Sequence, residues 1–69
     1  MKIAVTGATG FLGRATCARL ALDHDLVPIS RSGTTVAGVD GVAADVTDLA
    51  SLRAAFAGAD FVVHAAGRV

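Results

Sequence analysis

Of the 69 residues only one is cysteine, one is proline and one is methionine, and none is tyrosine or tryptophan. The lone Cys17 excludes an internal disulfide and fits a reducing, cytoplasmic setting. Charge of either sign in excess is lacking too. Six basic and six acidic residues give a formal net charge of zero, with no basic patch for nucleic acid or an anionic membrane surface. No apolar run approaches the ~20 residues of a membrane span. The N-terminus does not read as a signal peptide, because one lysine is followed by a strand-like run that meets glycine at once. Two histidines and six scattered aspartates show neither metal-ligand spacing nor a Ser-His-acid arrangement.

What is present is apolar: 54% of the chain, with a mean hydropathy of +0.64. A chain this short buries only about 60% of its unfolded surface. So apolar a composition implies that some of the surface is covered by further polypeptide. Residues 1–69 therefore read as the N-terminal part of one domain rather than a complete one.

The chain is organised around Thr6-Gly7-Ala8-Thr9-Gly10-Phe11-Leu12-Gly13. A short apolar run precedes it and a helical pattern follows, a sequence of strand, glycine-rich turn and helix that makes a place for a phosphate. The turn gathers backbone N–H groups, and the helix N-terminus adds unpaired donors and the positive end of a dipole, worth roughly +0.5 charge. Gly7 permits the tight turn, Gly10 lets backbone approach a pyrophosphate, and Gly13 lets helix and strand pack closely.

Along the chain, Lys2 to Thr6 reads as a buried strand and Phe11 to about Leu22 as a helix, with Gly13, Cys17 and Leu20 toward the sheet and Thr9 in the N-cap region. Leu26 to Ser30 is a second strand, with a bulge or skipped bond expected at Pro28. Arg31 to Gly41 is a loop whose Val36, Ala37 and Val39 can tuck under the sheet edge. Val42 to Ala44 forms a third strand. Thr47 or Asp48 caps a helix from Leu49 to Ala57 that stops at Gly58 and presents Leu49, Leu52 and Phe56 on one face. Asp60 to Ala65 is a fourth strand. The pattern predicts an α/β fold, a partial Rossmann fold with a parallel sheet of about four strands in the order 3-2-1-4 and helices on both faces. The switch point between the first and fourth strands then brings Gly7 to Gly13 and Ala65 to Gly67 to one crevice, where open α/β sheets bind ligands. His64 reads as a half-buried strand residue and Cys17 as a small core residue.

Three stretches on those turns carry a resemblance: Thr6 to Gly13, Asp45-Val46-Thr47-Asp48, and Val62-Val63-His64-Ala65-Ala66-Gly67. Together they resemble the extended branch of the short-chain dehydrogenase/reductase superfamily, which includes NAD-dependent epimerases, dehydratases and 3β-hydroxysteroid-dehydrogenase-like reductases. The resemblance spans the whole chain and about the first third of such a protein. It implies that Gly7, Thr9, Gly10, Phe11 and Leu12 surround the cofactor pyrophosphate. It also implies that Asp45 meets the adenine amine with Val46 against the ring, and that Ala65, Ala66 and Gly67 line the adenosine ribose. The ending from His64 to Val69 looks closer to the steroid-dehydrogenase and dihydroflavonol-reductase-like groups than to the sugar epimerases.

NAD-specific dinucleotide folds place a carboxylate at the end of the second strand to take the ribose hydroxyls. Here Ser30 and Arg31 occupy that position. A hydroxyl and a guanidinium receive a 2′-phosphate that a carboxylate would repel, which favours NADP(H) over NAD(H). Ser32, Thr34 and Thr35 offer further donors nearby.

The resemblance also implies a catalytic Tyr-x-x-x-Lys motif downstream. The chain has no tyrosine, and its only lysine is Lys2, so no catalytic residue lies within it. The expected function is dinucleotide binding within an NAD(P)-dependent oxidoreductase or epimerase/dehydratase that transfers hydride at a carbonyl or carbinol carbon. The substrate would be a small molecule held by the C-terminal region. Two alternatives stay open: a non-catalytic NADP(H) sensor or scaffold, and an orphaned fragment that self-associates through an unpaired sheet edge.

Overall fold

The computed structural model describes residues 1–45 and 47–65. Its elements in order are β1 (Lys2–Thr6), α1 (Phe11–Leu20), β2 (Asp25–Ser30), β3 (Val42–Ala43), α2 (Leu49–Phe56) and β4 (Phe61–His64). The strands form one parallel sheet in the order β3-β2-β1-β4, as the alternation of strand and helix predicted. Apolar residues alternate between its two faces. Ile3, Val5 and Leu26 join Cys17 and Leu20 of α1 in one core cluster. Ala4 and Ile29 join Ala55, Leu52 and Phe56 of α2 in another. The helices therefore cover opposite faces.

Pro28 is accommodated without the expected bulge. The β1–β2 register runs one-to-one through it, Val5 opposite Pro28 and Thr6 opposite Ile29. Along a parallel strand the polar backbone groups of successive residues face alternate neighbours. The Ile29 carbonyl faces β1 and accepts from Ala8 N–H, whereas the Ser30 carbonyl faces β3 and accepts from Ala44 N–H. Pro28, two residues before Ser30, presents its nitrogen to the β3 side, where pairing covers only Ile29 and Ser30. No ladder bond is lost.

α1 buries Gly13 and Cys17, as its spacing predicted, but ends at Leu20 rather than Leu22. The Leu20 carbonyl accepts from both Asp23 N–H at 3.2 Å and His24 N–H at 3.0 Å, which tightens the last turn and closes the helix. α2 is capped by Asp48, whose carboxylate accepts from Ala50 and Ser51 N–H at 3.0 and 3.3 Å, and Gly58 follows it at φ 80°. Leu52 and Phe56 pack on the sheet as expected, but Leu49 is exposed. The buried face centres on Ala55, and at 3.6 residues per turn Leu49 lies about 120° around the helix from it. In the loop after β2, Val36 is buried and Val39 packs beside it on the α1 face, while Ala37 between them stays exposed at φ 54°. Among the described residues no helix is long and apolar enough to cross a membrane.

Candidate functional site

The glycine turn begins one residue beyond β1. Gly7 sits at φ 66°, a left-handed conformation that side chains disfavour, and its carbonyl accepts from Gly10 N–H at 3.1 Å. Gly13 lies against the same turn: a Cβ there would stand 2.0 Å from the Gly7 carbonyl oxygen and 2.8 Å from Ala8 Cα. A Cβ on Gly10 would meet only that oxygen, at 3.5 Å. Packing therefore demands glycine at 13 but not at 10.

The expected Thr9 cap is not observed. Gly10 is the N-cap of α1 and no side chain caps the helix. The Thr9 carbonyl instead accepts from Arg14 Nε at 2.9 Å, which ties the turn to the first helical turn. The N-terminus of α1 thus keeps the unpaired N–H groups that every helix start carries, with no acidic residue in its first turn. Phe11 and Leu12 flank this opening and are largely exposed, at 93% and 58%.

At the end of β2, Ser30 is buried. Its hydroxyl oxygen accepts from Gly33 N–H at 3.1 Å and Thr34 N–H at 3.3 Å, folding the chain back after the strand. Those two bonds occupy its lone pairs, so Ser30 keeps only a proton to give. Arg31 is exposed. Asp45, beyond β3, accepts from Thr47 N–H at 2.9 Å and Thr47 Oγ1 at 2.7 Å. Those bonds, together with the positive charge of Arg31, hold its carboxyl below the usual carboxylate range.

Ala65, after β4, is buried and donates its N–H to the Thr6 carbonyl at 3.1 Å. It thus stands beside the start of the glycine turn. Val46, Ala66 and Gly67 lie outside the described residues. Sequence reasoning passed over Thr6 and gave His64 no role, yet their side chains meet at 2.9 Å. The signal available was positional, since both residues immediately precede the predicted crevice loops. His64 is also more exposed than the half-buried strand position expected of it. Cys17 is fully buried, and burial pushes its thiol pKa up, so it stays protonated and inert. No group of three or more metal-ligating side chains occurs among the described residues.

These features are those of a dinucleotide-binding βαβ unit, and comparison with known proteins supports that class. The sequence profile of the NAD dependent epimerase/dehydratase family matches residues 3–69, and the chain belongs to that family. It is similar to an L-arabinose 1-dehydrogenase (NAD(P)(+)) of Haloferax volcanii, 49% identical over 65 residues, covering 94% of this chain and 25% of that protein. An uncharacterized protein of Mycobacterium tuberculosis is 44% identical over 69 residues, covering 96% of this chain and 8% of that protein. A crystallised protein of Burkholderia pseudomallei, described as a candidate exported protein, superposes with a TM-score of 0.79 at 42% identity, covering 93% of this chain and 30% of its own. The chain thus spans a quarter or less of the curated relatives it matches.

Proposed function

We propose that this chain is the cofactor-binding N-terminal segment of an NAD(P)-dependent oxidoreductase or epimerase/dehydratase, with NADP(H) as the preferred dinucleotide. The observation that carries the reading is the left-handed Gly7 turn running into an uncapped α1. Such a helix start donates N–H groups to an anion and places positive dipole charge behind them. The fit to a pyrophosphate is steric as well. Gly13 holds the helix against the turn, while the space that a side chain at Gly10 would take stays open to a ligand.

Gly7, Thr9, Gly10, Phe11 and Leu12 would hold the pyrophosphate, Asp45 and Val46 the adenine, and Ala65, Ala66 and Gly67 the ribose. Ser30 and Arg31 would take the 2′-phosphate. Ser30 suits an acceptor-only ligand because only its proton is free, and Arg31 adds a forked cationic donor. With a dinucleotide so held, its nicotinamide would supply hydride exchange at C4, and this segment would bind and orient the cofactor. Similarity to a sugar dehydrogenase favours a carbonyl or carbinol carbon as the reacting centre. The small-molecule substrate and the acid–base residues would belong to chain beyond residue 69. The buried, protonated Cys17 suits a cytoplasmic, reducing workplace. The outer edge of β4, where Phe61 and Val62 are exposed, is the surface for self-association when no further strand covers it.

The test is a pair of dissociation constants, for NADPH and NADH, on the full-length protein at fixed salt. NADPH should bind more tightly, and Arg31→Ala should weaken it about tenfold or more, the worth of a charge-assisted hydrogen bond. A clear preference for NADH, or unchanged NADPH affinity in Arg31→Ala, would overturn the choice of cofactor. Failure to bind either would overturn the reading as a whole.

A further inference from the structure

Thr6 is the last residue of β1 and His64 the last of β4, and the two stand opposite one another in register. Thr6 Oγ1 lies 2.9 Å from His64 Nδ1. Phe56 of α2 meets the imidazole edge-on, with ring centroids 6.3 Å apart and planes at 72°. Two contacts of the His64 ring thus join β1, β4 and α2 at the point where strand order reverses. The residue after Thr6 is Gly7 and the residue after His64 is Ala65, so the glycine turn and the buried Ala65 both adjoin this pair.

The sheet does not need this bond to close. The backbone ladder already extends past it, through Ala65 N–H to the Thr6 carbonyl. Valine has the shape of threonine and would fill so buried a strand position without a hydroxyl to satisfy. What the bond adds is rigidity of placement. Thr6 is β-branched and stiff at χ1, the imidazole is planar, and Phe56 limits its rotation. A hydrogen bond between two such groups acts as a short strut across the mouth of the crevice.

We propose that Thr6 and His64 are a positioning pair whose hydrogen bond sets the placement of the glycine turn relative to Ala65, and through it the affinity for the dinucleotide. The inference rests on the dinucleotide reading above. Neither side chain needs to touch the cofactor.

The experiment measures NADPH and NADH dissociation constants and thermal melting for the full-length protein and for Thr6→Val, Thr6→Ser, His64→Leu, His64→Asn and the Thr6→Val/His64→Leu double variant. Thr6→Val and His64→Leu should each weaken binding roughly five- to tenfold, the loss of one partly buried hydrogen bond. The double variant should bind no worse than the weaker single, because residues acting as a unit are non-additive. Thr6→Ser keeps the hydroxyl, and His64→Asn keeps an amide group near the place of Nδ1. Both should recover wild-type affinity to within about twofold. Losses that add in the double variant overturn the pair, as does wild-type affinity in single variants that melt earlier. In both cases wild-type binding leaves the dinucleotide reading standing. A folded wild-type protein that binds neither cofactor overturns that reading, and the pair with it. His64 is exposed at a strand end, so its variants decide the matter if Thr6→Val does not fold.

Discussion

Replacing Gly13 by alanine should destabilise the fold even though alanine is the better helix former. The added Cβ would sit 2.0 Å from the Gly7 oxygen, and real Cβ contacts do not fall below 3.0 Å, so α1 must withdraw from the turn by at least 1 Å, the difference of the two. All the opposing atoms are backbone and cannot rotate aside. Overpacking of this kind costs ~1–3 kcal/mol, and the backbone shift places it at the upper end. The gain in helix propensity returns about 1 kcal/mol. A net loss of about 2 kcal/mol lowers the melting temperature of the full-length protein by ~4–8 °C if its domain holds about 150–250 residues. Gly10→Ala is the control. Its Cβ finds ordinary van der Waals space, at 3.5 Å from the same oxygen, so melting should stay close to wild type while dinucleotide binding weakens. Thermal unfolding by circular dichroism and cofactor titration on both variants read the two effects separately. Wild-type melting of Gly13→Ala would refute the close approach of helix and turn. Unimpaired binding by Gly10→Ala would refute Gly10 as the point where a pyrophosphate comes near.

Asp48→Ala removes the acceptor for Ala50 and Ser51 N–H and should cost about 1 kcal/mol of stability, with faster hydrogen exchange confined to the first turn of α2. The Asp45 carboxyl is held below its ordinary value by Thr47 and Arg31. Its depressed pKa contributes stability that is present above the unfolded value of about 3.9 and is lost as pH falls through the folded value. Asp45→Asn should therefore flatten the acid limb of a stability–pH profile, and a profile parallel to wild type would count against those bonds. Cys17, fully buried with a raised pKa, should react with a thiol reagent only as fast as the protein opens. Burst labelling in native buffer would contradict its burial. Its contribution is intact below about pH 8.5 and declines as pH rises through the folded value.

Much of the architecture was legible because alternating strand and helix patterns admit few topologies. Once β1 and the glycine turn are placed, right-handed crossovers leave the order β3-β2-β1-β4. Gly13 was legible for the same reason: its spacing from Gly7 puts it where helix meets turn. The misreadings were local. A bulge or skipped bond was expected at Pro28 because a sequence does not state which side of β2 its nitrogen faces, or that β3 is two residues long. Thr9 looked like a cap because residue type favours it, whereas the turn hydrogen bond from Gly10 to Gly7 shifts the helix start by one. The site was legible only where it is made of backbone. The meeting of Thr6 with His64 depends on strand lengths and register that appear only once the sheet is assembled.

The two faces of the sheet are covered unequally, and this orders the molecule's motions. α1 rests on Ile3, Val5 and Leu26 through Cys17 and Leu20. α2 rests on Ala4, Ile29 and Ala44 through Ala55 and the partly buried Leu52 and Phe56, with its N-terminal Leu49 in solvent. Its buried positions are smaller than those under α1, so α2 is expected to detach before the β1–β2 pair parts, which native-state hydrogen exchange would show as earlier exchange in α2. Each such opening frees the His64 ring from Phe56. On the dinucleotide reading proposed above, the side assigned to adenine would open on a faster clock than the glycine turn, and a dinucleotide would be gripped first by its pyrophosphate and last by its base.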